Sequence, residues 1–328
     1  MKKEVSSRDL RSWSMLGERG TFFAIAMPEI AEYKENLKLL TADVSYLSSM
    51  IRFEQAYPDK FLNVGIAEQN MIGIAAGLAM SGRCVFASTY ASFIAVRSLE
   101  HIRQHLAHLQ CNIKIIGTAA GVVTARSGIS HWATEDIAFM RSLPNLTVLS
   151  PADAYEAYIM AHLAASNDKP VYIRISGGLN CPIIHKEAQE IEIGKAIKII
   201  DGKDIAILAT GMMVSNSIKA AKKLQEQGLN PSVYDFHTIK PIDKELLDKI
   251  FAENKLIVTV EEHNIIGGLG SAVAEYKATK SNTPRQIFIG VPDEYSKCGS
   301  QKFVWEQLKL TEDQIAERIL NEIKKGEL

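Results

Sequence analysis

Short apolar runs rich in Ile and Val alternate with longer amphipathic stretches through most of this chain. The runs predict buried strands at residues 38–42, 84–88, 113–117, 147–150 and 171–175. The stretches between them predict helices at residues 67–81, 92–108, 134–141 and 154–166. Continuously apolar strands separated by helices are typical of a parallel sheet that is covered by helices on both faces.

A second cycle of strands and helices follows the polar segment at residues 185–190. Its predicted strands are residues 205–208, 232–235, 256–261 and 286–289, and its predicted helices are residues 215–227 and 270–279. A length of 328 residues also favours two domains. We therefore predict an α/β fold of two consecutive doubly wound domains with largely parallel sheets, at residues 1–187 and 188–328.

Composition excludes several classes of function. The formal net charge is −1, so the protein has no extended electrostatic potential of one sign. This argues against a primary role in binding nucleic acid or an anionic membrane. No uncharged apolar run reaches about 18 residues, and the first apolar stretch, residues 21–27, is too short for a signal peptide. The four cysteines form no CxxC pair, which favours a reducing compartment. We expect a cytoplasmic protein.

The segment at residues 63–71 (NVGIAEQNM) carries the strongest chemical signal. Glu68 opens a predicted helix whose body is small and apolar, with Gly73 and Gly77 suited to close packing against another backbone. An acid in the first helical turn is also favoured by the helix macrodipole alone. Taken by itself, this segment is therefore compatible with a chemical role for Glu68 and with a purely structural one.

This segment resembles the transketolase family, including deoxyxylulose-phosphate synthases, which carry a glutamate in a GI-[AR]-E-[QH] turn. In that family the glutamate hydrogen-bonds a ring nitrogen of the aminopyrimidine of thiamine diphosphate. The resemblance implies that Glu68 is catalytic and binds this cofactor. Proton sharing with the ring favours the imino tautomer, whose exocyclic nitrogen removes the thiazolium proton.

Two neighbouring segments extend the resemblance to the cofactor site. Tyr90 and Phe93 match the family's aromatic pair, whose rings flank the aminopyrimidine, although two aromatics at this spacing can also share a helix face in a core. Asp43 follows a predicted strand and matches an acidic position near the cofactor. A simple helix cap is an equal alternative for Asp43.

Three further residues are implied to contact substrate. His131 matches a histidine that contacts the donor substrate and the intermediate, so a catalytic role follows from the resemblance. Ser127 stands where the family has a donor-binding aspartate, and Ala119 stands where it has a histidine. Arg174 matches an arginine that binds substrate phosphate in relatives. The two replacements leave unphosphorylated, sulfonated and nucleotide-linked sugars open beside ordinary sugar phosphates.

The second predicted domain is similar to the family's C-terminal domain. Its glycine cluster at residues 267–270 lacks the lysine and spacing of a P-loop, so we expect it to pack the start of a helix. His263 is implied to be structural. His101, His105 and His108 share a helical face, which we interpret as a solvated or interface surface.

Full-length transketolases carry another large domain with a G-D-G…N motif, which ligates the Mg²⁺ on the cofactor's diphosphate. No such motif occurs here, so the resemblance implies a separate partner that supplies the diphosphate and Mg²⁺ half. We expect no metal ligand in this chain and an α2β2 heterotetramer.

The resemblance implies a split transketolase that transfers a two-carbon ketol unit from a ketose donor to an aldehyde acceptor. One alternative is the beta chain of a 2-oxo-acid dehydrogenase decarboxylase component. A second is a deoxyxylulose-phosphate-synthase-like enzyme, and a third is a non-catalytic scaffold.

Overall fold

The computed structural model describes residues 1–325 and contains two sheets. In chain order, the strands are β1 (Leu37–Thr41), β2 (Phe61–Asn63), β3 (Cys84–Tyr90), β4 (Ile113–Thr118), β5 (Thr147–Leu149), β6 (Val171–Arg174), β7 (Ile197–Ile200), β8 (Asp204–Ala209), β9 (Ser232–Asp235), β10 (Thr238–Lys240), β11 (Asn254–Asn264) and β12 (Arg285–Val291).

The α-helices lie mostly between the strands. They are α1 (Ser7–Thr21), α2 (Met27–Tyr33), α3 (Ile51–Ala56), α4 (Glu68–Met80), α5 (Ala91–Arg97), α6 (Leu99–Ile102), α7 (Asp136–Ser142), α8 (Ala154–Ser166), α9 (Met213–Gln225), α10 (Lys244–Glu253), α11 (Leu269–Lys277), α12 (Gln301–Leu308) and α13 (Glu312–Lys324). No helix among residues 1–325 is long and apolar enough to cross a membrane.

The first sheet has the order β10-β5-β6-β4-β3-β1-β2 and the second the order β12-β11-β8-β9-β7. Every pairing is parallel except the edge pairs β10–β5 and β7–β9, which are antiparallel. Strands β4, β5 and β6 are buried along their full lengths, as expected for strands covered on both faces. The predicted fold class is therefore confirmed.

The two sheets share part of one core. A single cluster joins side chains beneath α4 on the first sheet, such as Met71 and Ile115, to Leu208 and Phe236 of the second half. Strand β10 lies beyond the predicted boundary at residue 187 and yet completes the edge of the first sheet. We keep that boundary as a proposal for the order of the domains along the chain.

Helix α1 approaches the loop after β6 closely enough to require glycine. Gly17 has φ +66°, and a Cβ there would lie 1.7 Å from the carbonyl oxygen of Gly178. The next side chain, Glu18, is fully buried and accepts a hydrogen bond from the backbone N–H of Ser176. Burial raises the pKa of Glu18 to about 8, so the carboxyl group keeps its proton in the folded state at neutral pH.

We expect the variant Glu18→Gln to remove a pH dependence of stability. The folded carboxyl holds its proton up to a pKa of about 8, whereas the unfolded one loses it near 4.5. The contribution of this carboxyl group to the free energy of unfolding is therefore complete below pH 4.5. It declines as the pH rises towards 8, by up to about 1.4 kcal/mol per pH unit. Urea unfolding at pH 5, 6.5 and 8 should show that the stability of Glu18→Gln relative to the native chain rises with pH. Glu35→Gln, at an exposed carboxylate, is the control, and a constant difference for Glu18→Gln would contradict this protonation state.

Candidate active site

Four loops meet where the parallel strands β2, β1, β3 and β4 end. Neighbouring strands of a parallel sheet end at the same edge, which is where open α/β sheets bind ligands. Asp43 follows β1, Glu68 follows β2, Tyr90 ends β3, and the loop that carries His131 follows β4.

The turn before α4 positions Glu68. Asn63, at the end of β2, accepts hydrogen bonds from the N–H groups of Asp43 and Gly65, at 3.1 and 3.0 Å. Its amide also donates to Asp43 Oδ1. Gly65 has φ +75°, which favours glycine, and α4 begins at Glu68. The turn directs Glu68 into the edge of the sheet, where the residue is only 6% exposed.

Arg97, which lies outside the sequence motifs, contacts the Glu68 carboxylate. Its Nη1 donates to Glu68 Oε1 at 2.9 Å, and its guanidinium lies 4.0 Å from the ring centroid of Phe93. Glu68 Oε2 has no hydrogen bond within residues 1–325. One carboxylate oxygen is therefore fixed and the other is open. The sequence signal for Arg97 is its position four residues after Phe93, one helical turn away.

Three aromatic rings form a half-buried cluster at this edge. The centroid of the Phe93 ring lies 5.7 Å from that of Tyr90 and 5.4 Å from that of His131. His131 Nδ1 is hydrogen-bonded to Ser130 Oγ at 2.9 Å, which leaves Nε2 for another partner. The structure thus brings Tyr90, Phe93 and His131 together beside the Arg97–Glu68 pair.

Asp43 and Ser127 lie on exposed parts of the same edge. Asp43 has φ +57° and is exposed, and its side chain contacts the amide of Asn63. Ser127 is exposed in the loop of His131, where its N–H donates to the carbonyl of Thr124. Asp43 does not cap a helix in this structure, so the cofactor interpretation stays as the prediction for this residue.

Arg174 is placed in the interior, which corrects the expectation that it binds substrate phosphate. It is 1% exposed, and its Nε donates to both carboxylate oxygens of Asp136 at 3.0–3.1 Å. Its Nη2 donates to the carbonyl oxygens of Ala133 and Glu262. Tyr172, on the same face of β6, also donates to Asp136. The guanidinium therefore links the first sheet to the second and is not available to substrate.

We expect the variant Arg174→Met to destabilise the chain by about 3–5 kcal/mol, because a buried carboxylate loses its partner. Urea unfolding checks the loss, and KM of the assembled enzyme checks the role. Arg83→Met serves as the stability control, since Arg83 is exposed and a substitution at such a surface position changes stability by at most about 0.5 kcal/mol. Unchanged stability of Arg174→Met together with a raised KM would restore Arg174 to the substrate site.

The charged residues after Val260 organise the second sheet. Glu261 accepts hydrogen bonds from the N–H groups of Leu269 and Gly270, so the glycine cluster packs the start of α11. Burial lowers the pKa of His263 to about 4, and its neutral ring accepts from the Ala138 N–H and bonds the Asn264 carbonyl. His263 is fully buried, which fits a structural role.

Comparison with known proteins gives matches over both halves of the chain. Residues 19–181 match the family described as transketolase, pyrimidine binding domain, and residues 194–315 match transketolase, C-terminal domain. A protein of Methanocaldococcus jannaschii described as a transketolase C-terminal section is 39% identical over 90% of this chain and 93% of its own length.

Two further matches are to proteins described as a transketolase subunit and as a split gene transketolase. One of the subunits of the apulose-4-phosphate transketolase of Phocaeicola vulgatus is 34% identical over 92% of this chain and 96% of its own length. A solved structure described as a split gene transketolase, inactive beta4 tetramer, is 36% identical with a TM-score of 0.86. That match covers 93% of this chain and 98% of the solved chain.

Proposed function

This chain belongs to the transketolase family, and we propose that it is the subunit that activates thiamine diphosphate in a split enzyme. The resemblance seen in residues 63–71 is confirmed by the family matches over both halves of the chain. The chain is a transketolase-type transferase subunit. The assignments of individual residues that follow are part of the proposal.

One observation carries the assignment. The buried Glu68 carboxylate has one oxygen fixed by Arg97 and one open, beside the aromatic cluster of Tyr90, Phe93 and His131. A flat aminopyrimidine needs a carboxyl group at a ring nitrogen and aromatic surfaces for its faces. The residues present therefore fit the pyrimidine half of thiamine diphosphate.

Each side chain has a task in this proposal. Thiamine diphosphate supplies the carbanion chemistry that carbon–carbon cleavage beside a carbonyl requires. Glu68 holds or releases a proton at Oε2, while Arg97 keeps Oε1 in place. Tyr90 and Phe93 contact the ring, Asp43 lies at its rim, and His131 presents Nε2 to substrate hydroxyls.

The diphosphate and its Mg²⁺ require groups from elsewhere. Among the described residues, the only cluster of three His, Cys, Asp or Glu ligands that is compact enough for a metal lies at Glu156, His185 and Asp235. None of these three residues lies in the four loops of the candidate site. We propose that a partner corresponding to the N-terminal part of transketolase binds the diphosphate and Mg²⁺, in an α2β2 assembly.

A helix surface beside Glu68 is suited to that partner. We name the exposed residues at successive helical turns the open α4 face: Ile66, Asn70, Gly73, Gly77 and Met80. Ile66 is 76% and Met80 is 72% exposed, and nothing lies within 4 Å of a Cβ placed at Gly73 or Gly77. A partner backbone that packs here would close over the coenzyme.

For substrate, we propose a ketose donor and an aldehyde acceptor in the cytoplasm. His131 and Ser127 are the proposed contacts to donor hydroxyls. One relative is named for apulose-4-phosphate, so a phosphorylated sugar is the first class to assay. We leave Arg174 out of the proposed anion contacts, because its guanidinium is buried and paired with Asp136.

An assay of the reconstituted pair tests the reaction class. With thiamine diphosphate, Mg²⁺ and the partner, hydroxypyruvate plus a sugar aldehyde should yield a ketose extended by two carbons. Pyruvate should support neither acetyl transfer to a lipoyl acceptor nor condensation with glyceraldehyde 3-phosphate. Turnover with pyruvate and none with hydroxypyruvate would assign the chain to the oxo-acid dehydrogenase or deoxyxylulose-phosphate synthase class instead.

A further inference from the structure

A histidine and two carboxylates converge in the interior between the two sheets. Glu156 lies in the first turn of α8, His185 in the segment that connects the sheets, and Asp235 at the end of β9. All three are buried, and one potential ligand atom from each lies within 4.8 Å of the others. The cluster thus contains one residue from the first half of the chain, one from the connecting segment and one from the second half.

Neighbouring groups fix two of the three side chains. Asp153 Oδ2 accepts hydrogen bonds from the N–H groups of Ile184 and His185, which holds the backbone of His185 in place. Glu156 Oε2 accepts from the Ala152 N–H at 2.8 Å. Glu156 Oε1 is left to face His185 Nε2, at 3.0 Å. Such outer contacts orient side chains as they do around metal ions.

Asp235 is the unexplained member of the cluster. It is 0% exposed, and neither carboxylate oxygen has a hydrogen-bond donor within residues 1–325. Its Oδ2 lies 3.9 Å from His185 Nε2, beyond a direct hydrogen bond. A buried carboxylate without a donor is strongly unfavourable unless a proton, a water molecule or a cation satisfies it.

We propose that Glu156, His185 and Asp235 bind one Zn²⁺ ion that joins the two sheets. Imidazole nitrogen and carboxylate oxygen are both zinc ligands, at about 2.0–2.2 Å, so neighbouring ligand atoms in a tetrahedral site lie roughly 3.3 Å apart. His185 Nε2 lies 3.0 Å from Glu156 Oε1 and 3.9 Å from Asp235 Oδ2, and these two distances lie on either side of that value. The charge of the ion balances the two carboxylates, and a water molecule takes the fourth position.

The three proposed ligands lie outside the four loops of the candidate coenzyme site. A cation bound by them is enclosed by the first sheet, the connecting segment and the second sheet, so it acts as a cross-link rather than in catalysis. A buried set of ligands that includes an imidazole nitrogen suits Zn²⁺ better than Mg²⁺, because Mg²⁺ prefers oxygen ligands and retains water.

Elemental analysis of the full chain tests the site. The chain is unfolded with chelator and refolded with either one equivalent of Zn²⁺ or none, then desalted and measured for zinc and thermal stability. We expect about one zinc per chain and a higher melting temperature with Zn²⁺. Replacement by Co²⁺ should give the visible absorption of a tetrahedral site. His185→Gln and Asp235→Asn should each lower zinc occupancy at least 10-fold.

His101→Gln is the matched control, because the His101–His105 pair is the place where zinc could bind adventitiously at the surface. Occupancy that falls with His101→Gln and not with His185→Gln would overturn the proposal. So would a refolded native chain that retains less than a tenth of an equivalent of zinc and shows no cobalt absorption. The three side chains would then be held by shared protons or a water molecule.

Discussion

Glu68→Gln is expected to lower kcat of the assembled enzyme by about 10²–10⁴-fold, the usual contribution of a positioned proton donor or acceptor. Glutamine keeps the shape of the side chain and can still accept from Arg97, whose Nη1 lies 2.9 Å from Oε1 in the native chain. It cannot exchange a proton with a coenzyme ring. The measurement is steady-state ketol transfer at saturating coenzyme, with assembly followed by size-exclusion chromatography.

Assembly should be unchanged, so the loss should appear in kcat rather than in the amount of complex. Glu100→Gln, at an exposed carboxylate on the neighbouring helix α6, is the matched control and should retain native activity. A kcat of Glu68→Gln within threefold of the native value would remove Glu68 from the catalytic role.

The second large effect is expected at the open α4 face. In the isolated chain, Gly73→Leu/Gly77→Leu meets no steric obstacle, because nothing lies within 4 Å of either added Cβ. Helix propensity should even raise the stability of the isolated chain, by up to about 1 kcal/mol per site. In a packed interface each added side chain costs about 1–3 kcal/mol, so partner affinity should fall at least about 30-fold.

Stability and assembly should therefore change in opposite directions. Urea unfolding of the isolated chain and a binding titration with the partner measure the two quantities. Lys219→Leu, at an exposed position of α9 on the second sheet, is the control for added surface leucine. Native partner affinity in the double glycine variant would place the partner on another surface.

Apolar periodicity predicted the interior of this fold well. Strand β9 was predicted with its exact bounds, and α4 begins at Glu68 as expected, because buried strands and a small-residue helix leave strong local patterns. Strands β2, β7 and β10, of three or four residues each, were missed. So short an element has no period of its own, and the pairing of β10 with β5 depends on a tertiary contact far along the chain.

The first 33 residues were also under-predicted. The segment from Ser7 to Thr21 forms α1 despite its many polar residues, because one face, which includes Trp13, packs on Tyr155 and Tyr158 of α8. The apolar stretch before Pro28 continues as a π-helical turn in the same core. Tertiary burial, rather than local propensity, decides these elements.

Sequence motifs predicted some residues of the candidate site and not others. Tyr90, Phe93 and His131 are brought together with Glu68, yet their roles stay predictions until the coenzyme is bound. Arg174 was misassigned because a motif gives a position and not a side-chain direction. Strand alternation places Arg174 on the same face as Tyr172, and that face meets Asp136. Arg97 acts on Glu68 through a contact that no motif in the sequence marked.

The most direct test is a structure of the chain reconstituted with its partner, thiamine diphosphate and Mg²⁺. The expected result has the pyrimidine ring against Tyr90 and Phe93, the Glu68 carboxylate hydrogen-bonded to the ring, and the diphosphate and Mg²⁺ bound by the partner. A coenzyme bound entirely by one polypeptide, or a Glu68 carboxylate that does not contact the ring, would contradict the account.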